Sequence, residues 1–193
     1  MFVVKSSASV EENIKKSRFI GVIRPCAGEN EAFAQIKQLA LLYPGASHLA
    51  YAYRIKFGAA FIYRFNDAGE PAGTAGKPIF QHLEGKNLIN TLIVVIRYFG
   101  GVKLGAGGLV RAYGNSAKRV IEAAQLEPYQ EWATVRLRLD YQQIQNFDFI
   151  VKKLEGQIIE KVFSGQIQVV VRLPAGLLPE LIASFPALEV ISV

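Results

Sequence analysis

Between Glu84 and Glu122 the chain carries Lys86, Arg97, Lys103, Arg111, Lys118 and Arg119 and no acidic residue. In the middle of that stretch stands Leu104-Gly105-Ala106-Gly107-Gly108, directly ahead of an apolar pattern of helical period. A helix that starts there presents unsatisfied backbone N–H groups and a partial positive charge, and glycines let an anion come close to both. Lys103 and Arg111 flank the turn and add charge-assisted contacts to a phosphate. The expected phosphate or nucleic-acid contacts are therefore Arg97, Lys103, Gly107, Gly108, Arg111, Lys118 and Arg119, with Tyr98 and Phe99 beside Arg97 as stacking surfaces for bases. The same glycines also suit a plain strand-to-helix turn, and the same charges a solvated basic face.

A second constellation is His48, Asp67, Glu70 and Lys77, the acid, base and charge carriers of an alternative pocket between the two glycine-rich loops. With His82 they lack the close spacing of a metal cluster, and no serine stands in a G-x-S-x-G elbow, so no catalytic residue, metal or cofactor is assigned. Asp67 and Glu70, beside glycines and Pro71, also suit turn-bonding roles. Gly76-Lys77 is no P-loop, because Pro71 replaces the upstream glycine and Pro78 follows the lysine. Gly105-Ala106-Gly107 is no dinucleotide fingerprint, because Val110 stands where the third glycine belongs. The single cysteine, Cys26, has no partner for an internal disulfide and reads as a packed residue at a strand end.

Of the 193 residues 51% are hydrophobic and 20% charged, a globular composition that excludes intrinsic disorder. No apolar run approaches the roughly 20 residues that span a bilayer, and the N-terminus turns polar before a signal-peptide core develops. A cytoplasmic protein without membrane contact is expected. Residues 1–132 hold 16 basic against 10 acidic residues and residues 133–193 hold 6 against 6, so the whole excess of +6 lies in the first part. That asymmetry favours a polyanionic partner for the first part, RNA or the ribosome, with a phosphate-containing small molecule as the rival.

Helical periodicity runs through Val120, Ile121 and Ala124 and stops before Pro128, which puts a boundary between a domain of residues 1–126 and one of residues 133–193. The second reads as βαββαβ: strand 134–139, helix 144–154, a hairpin of 157–163 and 166–173 across Ser164-Gly165, a helix 177–185 closed near Pro186, and strand 188–193. That order is the ferredoxin-like pattern. In the first, residues 18–24 read as a strand and 30–42 as a helix with Phe33, Ile36, Leu39 and Ala40 inward. Residues 49–56 and 60–65 form a hairpin, 78–84 a short helix, 91–98 a buried strand, and a long helix follows Gly108.

Four stretches, Ile14-Lys15-Lys16-Ser17-Arg18-Phe19-Ile20, Ala46-Ser47-His48, Gly69-Glu70-Pro71-Ala72-Gly73-Thr74-Ala75-Gly76-Lys77-Pro78 and the run from Val94 to Gly114, resemble the YigZ/IMPACT family. The resemblance implies an α+β protein. Its first domain would be like domain 2 of ribosomal protein S-five and its second like the ferredoxin-like domain of translocation elongation factors. It also implies a translation-linked, regulatory role. Relatives in the eukaryotic branch compete for the activator of an initiation-factor kinase through an extra binding domain, a partner not expected here. Family members often carry a cysteine shortly after the histidine matching His48, where this chain has Ala50, and a second aspartate where it has Ala68. Chemistry that relies on either group is not expected of this chain.

Overall fold

The computed structural model describes residues 1–163, 165–185 and 188–192. It is a mixed α+β structure that divides into two compact units, Met1–Tyr129 and Gln130–Val193.

The first unit begins with β1 (Phe2–Val4), β2 (Ala8–Ile14) and β3 (Ser17–Pro25), followed by α1 (Glu29–Leu42). Next come the hairpin of β4 (His48–Phe57) and β5 (Ala60–Asn66), α2 (Gly76–Gly85), β6 (Thr91–Tyr98), α3 (Ala106–Ala123) and β7 (Leu126–Pro128). Five strands form an antiparallel sheet in the order β2-β3-β6-β4-β5. β6 lies at its centre and is buried from Thr91 to Arg97, which is why its sequence is a continuous apolar run rather than an alternating one. Its even-numbered side chains, Leu92, Val94 and Ile96, join Ala32 and Leu39 of α1 in one core. Its odd-numbered ones, Ile93 and Val95, join Ile79 and Leu83 of α2 and Tyr113 and Ala117 of α3 in another. Each buried Val, Leu or Ile side chain among them contributes about 1.5–3 kcal/mol over an exposed one.

The sequence reading misses β1, β2 and β7. β2 carries Glu11, Glu12 and Asn13, residues poor in strand propensity, and forms because its pairing with β3 overrides that preference at a sheet edge. Lys15 and Lys16 turn this hairpin with φ of 44° and 67°, the left-handed geometry usually read from Asn-Gly. In α1 one of the residues expected inward, Ala40, is exposed, and Ala32, about two turns nearer the start, is buried instead.

The second unit runs β8 (Trp132–Leu139), α4 (Ile144–Lys153), β9 (Gln157–Phe163), β10 (Ile167–Pro174), α5 (Leu178–Ala183) and β11 (Glu189–Ser192). The sheet is antiparallel in the order β11-β8-β10-β9. Val135, Leu137, Leu139, Val169 and Val171 point to one face and are covered by Phe147 and Val151 of α4 and Leu181 of α5. The expected turn residue Ser164, the helix-closing Pro186 and the terminal Val193 lie outside the described residues.

Candidate functional site

Side chains of a strand alternate between the two faces of its sheet, and the register of β3, β6 and β4 turns this rule into a site. Arg97 follows Ile93 and Val95 on the face covered by α2 and α3, opposite Phe19 of β3 and His48 of β4. Ser17, two residues before Phe19, falls on the same face. Loop residue Glu70, between β5 and α2, closes over this corner. Its Oε1 accepts from Arg97 Nη1 at 2.6 Å and from Tyr113 Oη at 2.7 Å, and His48 Nε2 stands 3.7 Å away. Arg97 Nη2 also reaches Ser17 Oγ at 3.3 Å, and its guanidinium carbon lies 5.4 Å and 5.3 Å from the ring centres of Phe19 and Phe99. The four stretches that mark the sequence thus meet at one point, through Ser17, His48, Glu70 and the pair Arg97 and Tyr113.

This geometry corrects the reading of Arg97 as a phosphate contact. Its side chain is 5% exposed, that of Glu70 is 4%, and the two charges neutralise each other inside the unit. Of the two expected stacking surfaces, Tyr98 points to the opposite face with its hydroxyl on the Pro44 carbonyl, while Phe99, 48% exposed, lines the pocket described below. Burial and the bond to Glu70 push the Tyr113 phenol well above its ordinary range.

Asp67 faces away from the pocket. Its carboxylate accepts the amides of Gly73, Ala75 and Gly76 at 2.8, 2.9 and 2.8 Å and so fastens the loop to the start of α2. Burial alone pushes its carboxyl up, but the three amides together outweigh burial and hold it below the ordinary carboxylate range. The stabilisation is complete above the ordinary Asp value and fades as pH falls through the lowered one. Asp67→Asn leaves one oxygen for three amides. It is expected to cost about 1–3 kcal/mol in urea unfolding at neutral pH and to flatten the loss of stability on acidification.

A pocket of about 440 Å³ opens at the Glu70–Arg97 pair, both of which line it together with His48, Pro71, Phe99, Lys103, Leu104 and the first turn of α3. Lys77 and Gly107 are not among its lining residues. Leu104 separates it from a smaller cavity of about 250 Å³ that Lys15, Gly108, Arg111 and Asn115 share. Between the two lies the N-terminus of α3, where Gly105 has φ 73° and no side chain caps the helix. The first helical amide bond is Leu109 to Gly105, so the amides of Ala106, Gly107 and Gly108 face outward without an intrahelical acceptor. Lys103, Gly107 and Arg111 are exposed there, joined by Lys15 and Lys16 from the β2–β3 turn, which the sequence reading did not select. Further along α3, Lys118 pairs with Glu122 at 3.9 Å and Arg119 with the part-buried Glu12 at 2.9 Å, so both cations already have a carboxylate partner. Cys26 is buried with its Sγ on the Gly28 carbonyl, and burial pushes its thiol up, away from nucleophile chemistry.

The first unit thus carries an uncapped, glycine-opened helix beside a partly open, mainly apolar pocket with a charged corner. Comparison with known proteins gives it a family. The chain belongs to the IMPACT family, whose Impact N-terminal domain matches residues 15–121. It is 38% identical over 163 residues to the IMPACT family member in the pol 5′ region of Thermus thermophilus, covering 84% of this chain and 87% of that one. It is 35% identical over 178 residues to the IMPACT family member YigZ of Escherichia coli strain K12, covering 89% and 85%. The crystal structure of a hypothetical protein superposes with a TM-score of 0.73 at 30% identity over 100% of this chain and 96% of that one. No described helix is long and apolar enough to cross a membrane.

Proposed function

We propose that the protein is a cytoplasmic, translation-associated RNA-binding regulator that holds phosphates at the start of α3. The observation that carries this reading is the row of outward amides at Ala106, Gly107 and Gly108, bracketed by Lys103, Arg111 and Lys15 and uncapped by any side chain. Family membership supports the link to translation. The strand order β11-β8-β10-β9 of the second unit supports the ferredoxin-like reading of that domain, and the sheet of the first unit, with α2 and α3 on one face, accommodates the S-five-like one. The boundary near residues 126–133 is retained as part of the same reading.

With Arg97 buried and Lys118 and Arg119 engaged, about three phosphate contacts remain, which on single-stranded RNA gives a log–log salt slope near −2. Gly107→Glu is the sharpest test. A Cβ at Gly107 meets only the end of the Arg111 side chain at 3.7 Å, so the substitution fits sterically. A carboxylate in the first turn also suits the helix dipole. The variant is expected to fold with unchanged stability and to lose RNA binding in a low-salt anisotropy titration. Undiminished binding by the folded variant rejects the site. The enclosed wall of His48 and Glu70 favours a second reading, a phosphometabolite binder or enzyme, in which Asp67 and Lys77 no longer take part.

A further inference from the structure

A strand at the edge of a sheet carries backbone amides and carbonyls without partners, and proteins guard such edges with charge, irregular register or shortness. Among the described residues, the two larger sheets guard three of their edges in these ways. β2 presents Glu11 and Glu12, β9 carries Glu160 and Lys161 and a register break against β10, and β11 is four residues long. β5 has none of these devices. It runs seven residues at the end of the five-stranded sheet and holds no proline, lysine or acid. No described backbone group outside β4 bonds to residues 60–65. Phe61, Tyr63 and Phe65 are exposed along it, Tyr63 by 58%. Phe80 of α2 packs against Tyr63 and Phe65 at ring-centre distances of 5.0 and 5.7 Å, which places the three rings on the α2 face.

The hairpin decides which backbone groups face outward. Gly58-Ala59 joins β4 to β5 as a two-residue loop with Gly58 at φ 57°, and such a turn bonds its flanking residues, Phe57 and Ala60, to each other. Bonded and non-bonded pairs alternate from there. Ile62 and Arg64 therefore bond to β4, whereas Phe61, Tyr63 and Phe65 turn their amides and carbonyls to the open edge. The residues with exposed rings are thus also the ones with free backbone groups, and their order is self-complementary about Tyr63. We propose that β5 pairs antiparallel with β5 of a second copy of this chain, across a two-fold axis at Tyr63, joining two five-stranded sheets into one. Tyr63 then faces Tyr63, and Phe61 faces Phe65 in both directions, with about six main-chain hydrogen bonds and an aromatic stripe across the junction. The other face of the junction is matched in charge. Arg64 of each copy falls opposite Ile62 of the other, and Ile62 lines a cavity of about 350 Å³ together with Glu29 at the acidic start of α1. The β2–β3 turn and its Lys15, which shares a cavity with the first turn of α3, belong to the opposite edge of the sheet. The pairing therefore leaves that end of each copy open.

The test is analytical ultracentrifugation of the full chain from low to high micromolar concentration, where the parent is expected to sediment as a dimer. Tyr63→Lys sets two ammonium groups face to face at the axis and is expected to raise the dimer dissociation constant about tenfold or more while keeping the parent's circular dichroism. Tyr63→Cys reads the register directly and removes only an exposed ring. Residues of a bonded cross-strand pair have Cα atoms about 5.5 Å apart, within disulfide reach, so oxidised glutathione is expected to link two copies through this position. Arg64→Cys is the control, because two residues of stagger put its Cα roughly 8 Å from that of its symmetry mate, beyond that reach. The native Cys26 is buried and does not compete. A parent that stays monomeric at high micromolar concentration overturns the proposal, and loss of RNA affinity in its Tyr63→Lys variant would then assign the face to nucleic acid. A dimer that forms equally well in folded Tyr63→Lys, or equal crosslinking through positions 63 and 64, overturns it as well. If Tyr63→Lys does not fold, the two cysteine variants decide.

Discussion

Arg97→Met is expected to destabilise the first unit by about 3–5 kcal/mol, the cost of removing one partner from a buried ion pair. Methionine fills most of the aliphatic volume of arginine, so the loss comes from Glu70, left charged at 4% side-chain exposure with only Tyr113 donating to it. Glu70→Met is expected to cost a comparable amount through the stranded guanidinium, whose Nε already lacks a hydrogen-bond partner. The double variant decides the interpretation. With both charges gone the desolvation penalty disappears, and the pair replaced by apolar groups is expected to lie closer to the parent than either single variant. Urea unfolding of the four proteins gives the coupling energy. An additive cycle would show that Arg97 and Glu70 act independently, against the geometry described above.

Gly100→Ala is expected to be nearly as damaging, at about 3 kcal/mol or more. A Cβ on Gly100 falls inside van der Waals distance of the Lys16 carbonyl carbon and oxygen and 2.6 Å from the Ser17 amide nitrogen. These are backbone atoms of the β2–β3 turn, held in place by strand pairing and by Ser17 Oγ, which accepts the Gly100 amide at 3.2 Å. Relief requires the turn carrying Lys15 and Lys16 to move away from β6, so the variant is expected to lose phosphate affinity as well as stability. Gly85→Ala is the matched control, since nothing lies within 4 Å of its added methyl group, and it is expected to be close to neutral. Thermal unfolding of the two variants side by side checks both statements.

The central strand, the hairpin of β4 and β5 and the long helix α3 were legible because each follows one local rule, an apolar run, an alternation or a helical period. β2 was not, because its partner β3 makes it a strand despite Glu11, Glu12 and Asn13. The glycine-opened start of α3 was legible for the same local reason, glycines before a helix with Lys103 and Arg111 nearby. The polar corner was legible only in part: His48 and Glu70 stood in the expected alternative pocket, whereas Ser17, Arg97 and Tyr113 come from other segments and join them only through sheet register and the packing of α3. One signal was nonetheless present. Arg97 is the one charged residue of β6 and follows the apolar run Leu92 to Ile96, and a guanidinium carried into such surroundings needs a carboxylate. Glu70, in a glycine-rich loop able to fold back over the sheet, was a candidate for that role. The interpretation of Arg97 as a surface residue overlooked this requirement.

The short pairing of β1 with β7 gives the chain's beginning an architectural role at a distance in sequence. Phe2, Val3 and Val4 lie against Pro128, Glu127 and Leu126, the Tyr129 amide donates to the Met1 carbonyl at 3.0 Å, and Phe2 is tied to Asn87 and Ile89 by its own amide and carbonyl. The opening residues therefore act as a clasp on the segment by which the chain leaves the first unit. Trimming them, or adding a bulky tag in front of them, changes the anchorage of that exit strand rather than a loose end. A fragment meant to isolate the first unit keeps its clasp only if it starts at Met1 and runs through Tyr129, since one cut at residue 126 discards two of the three paired positions.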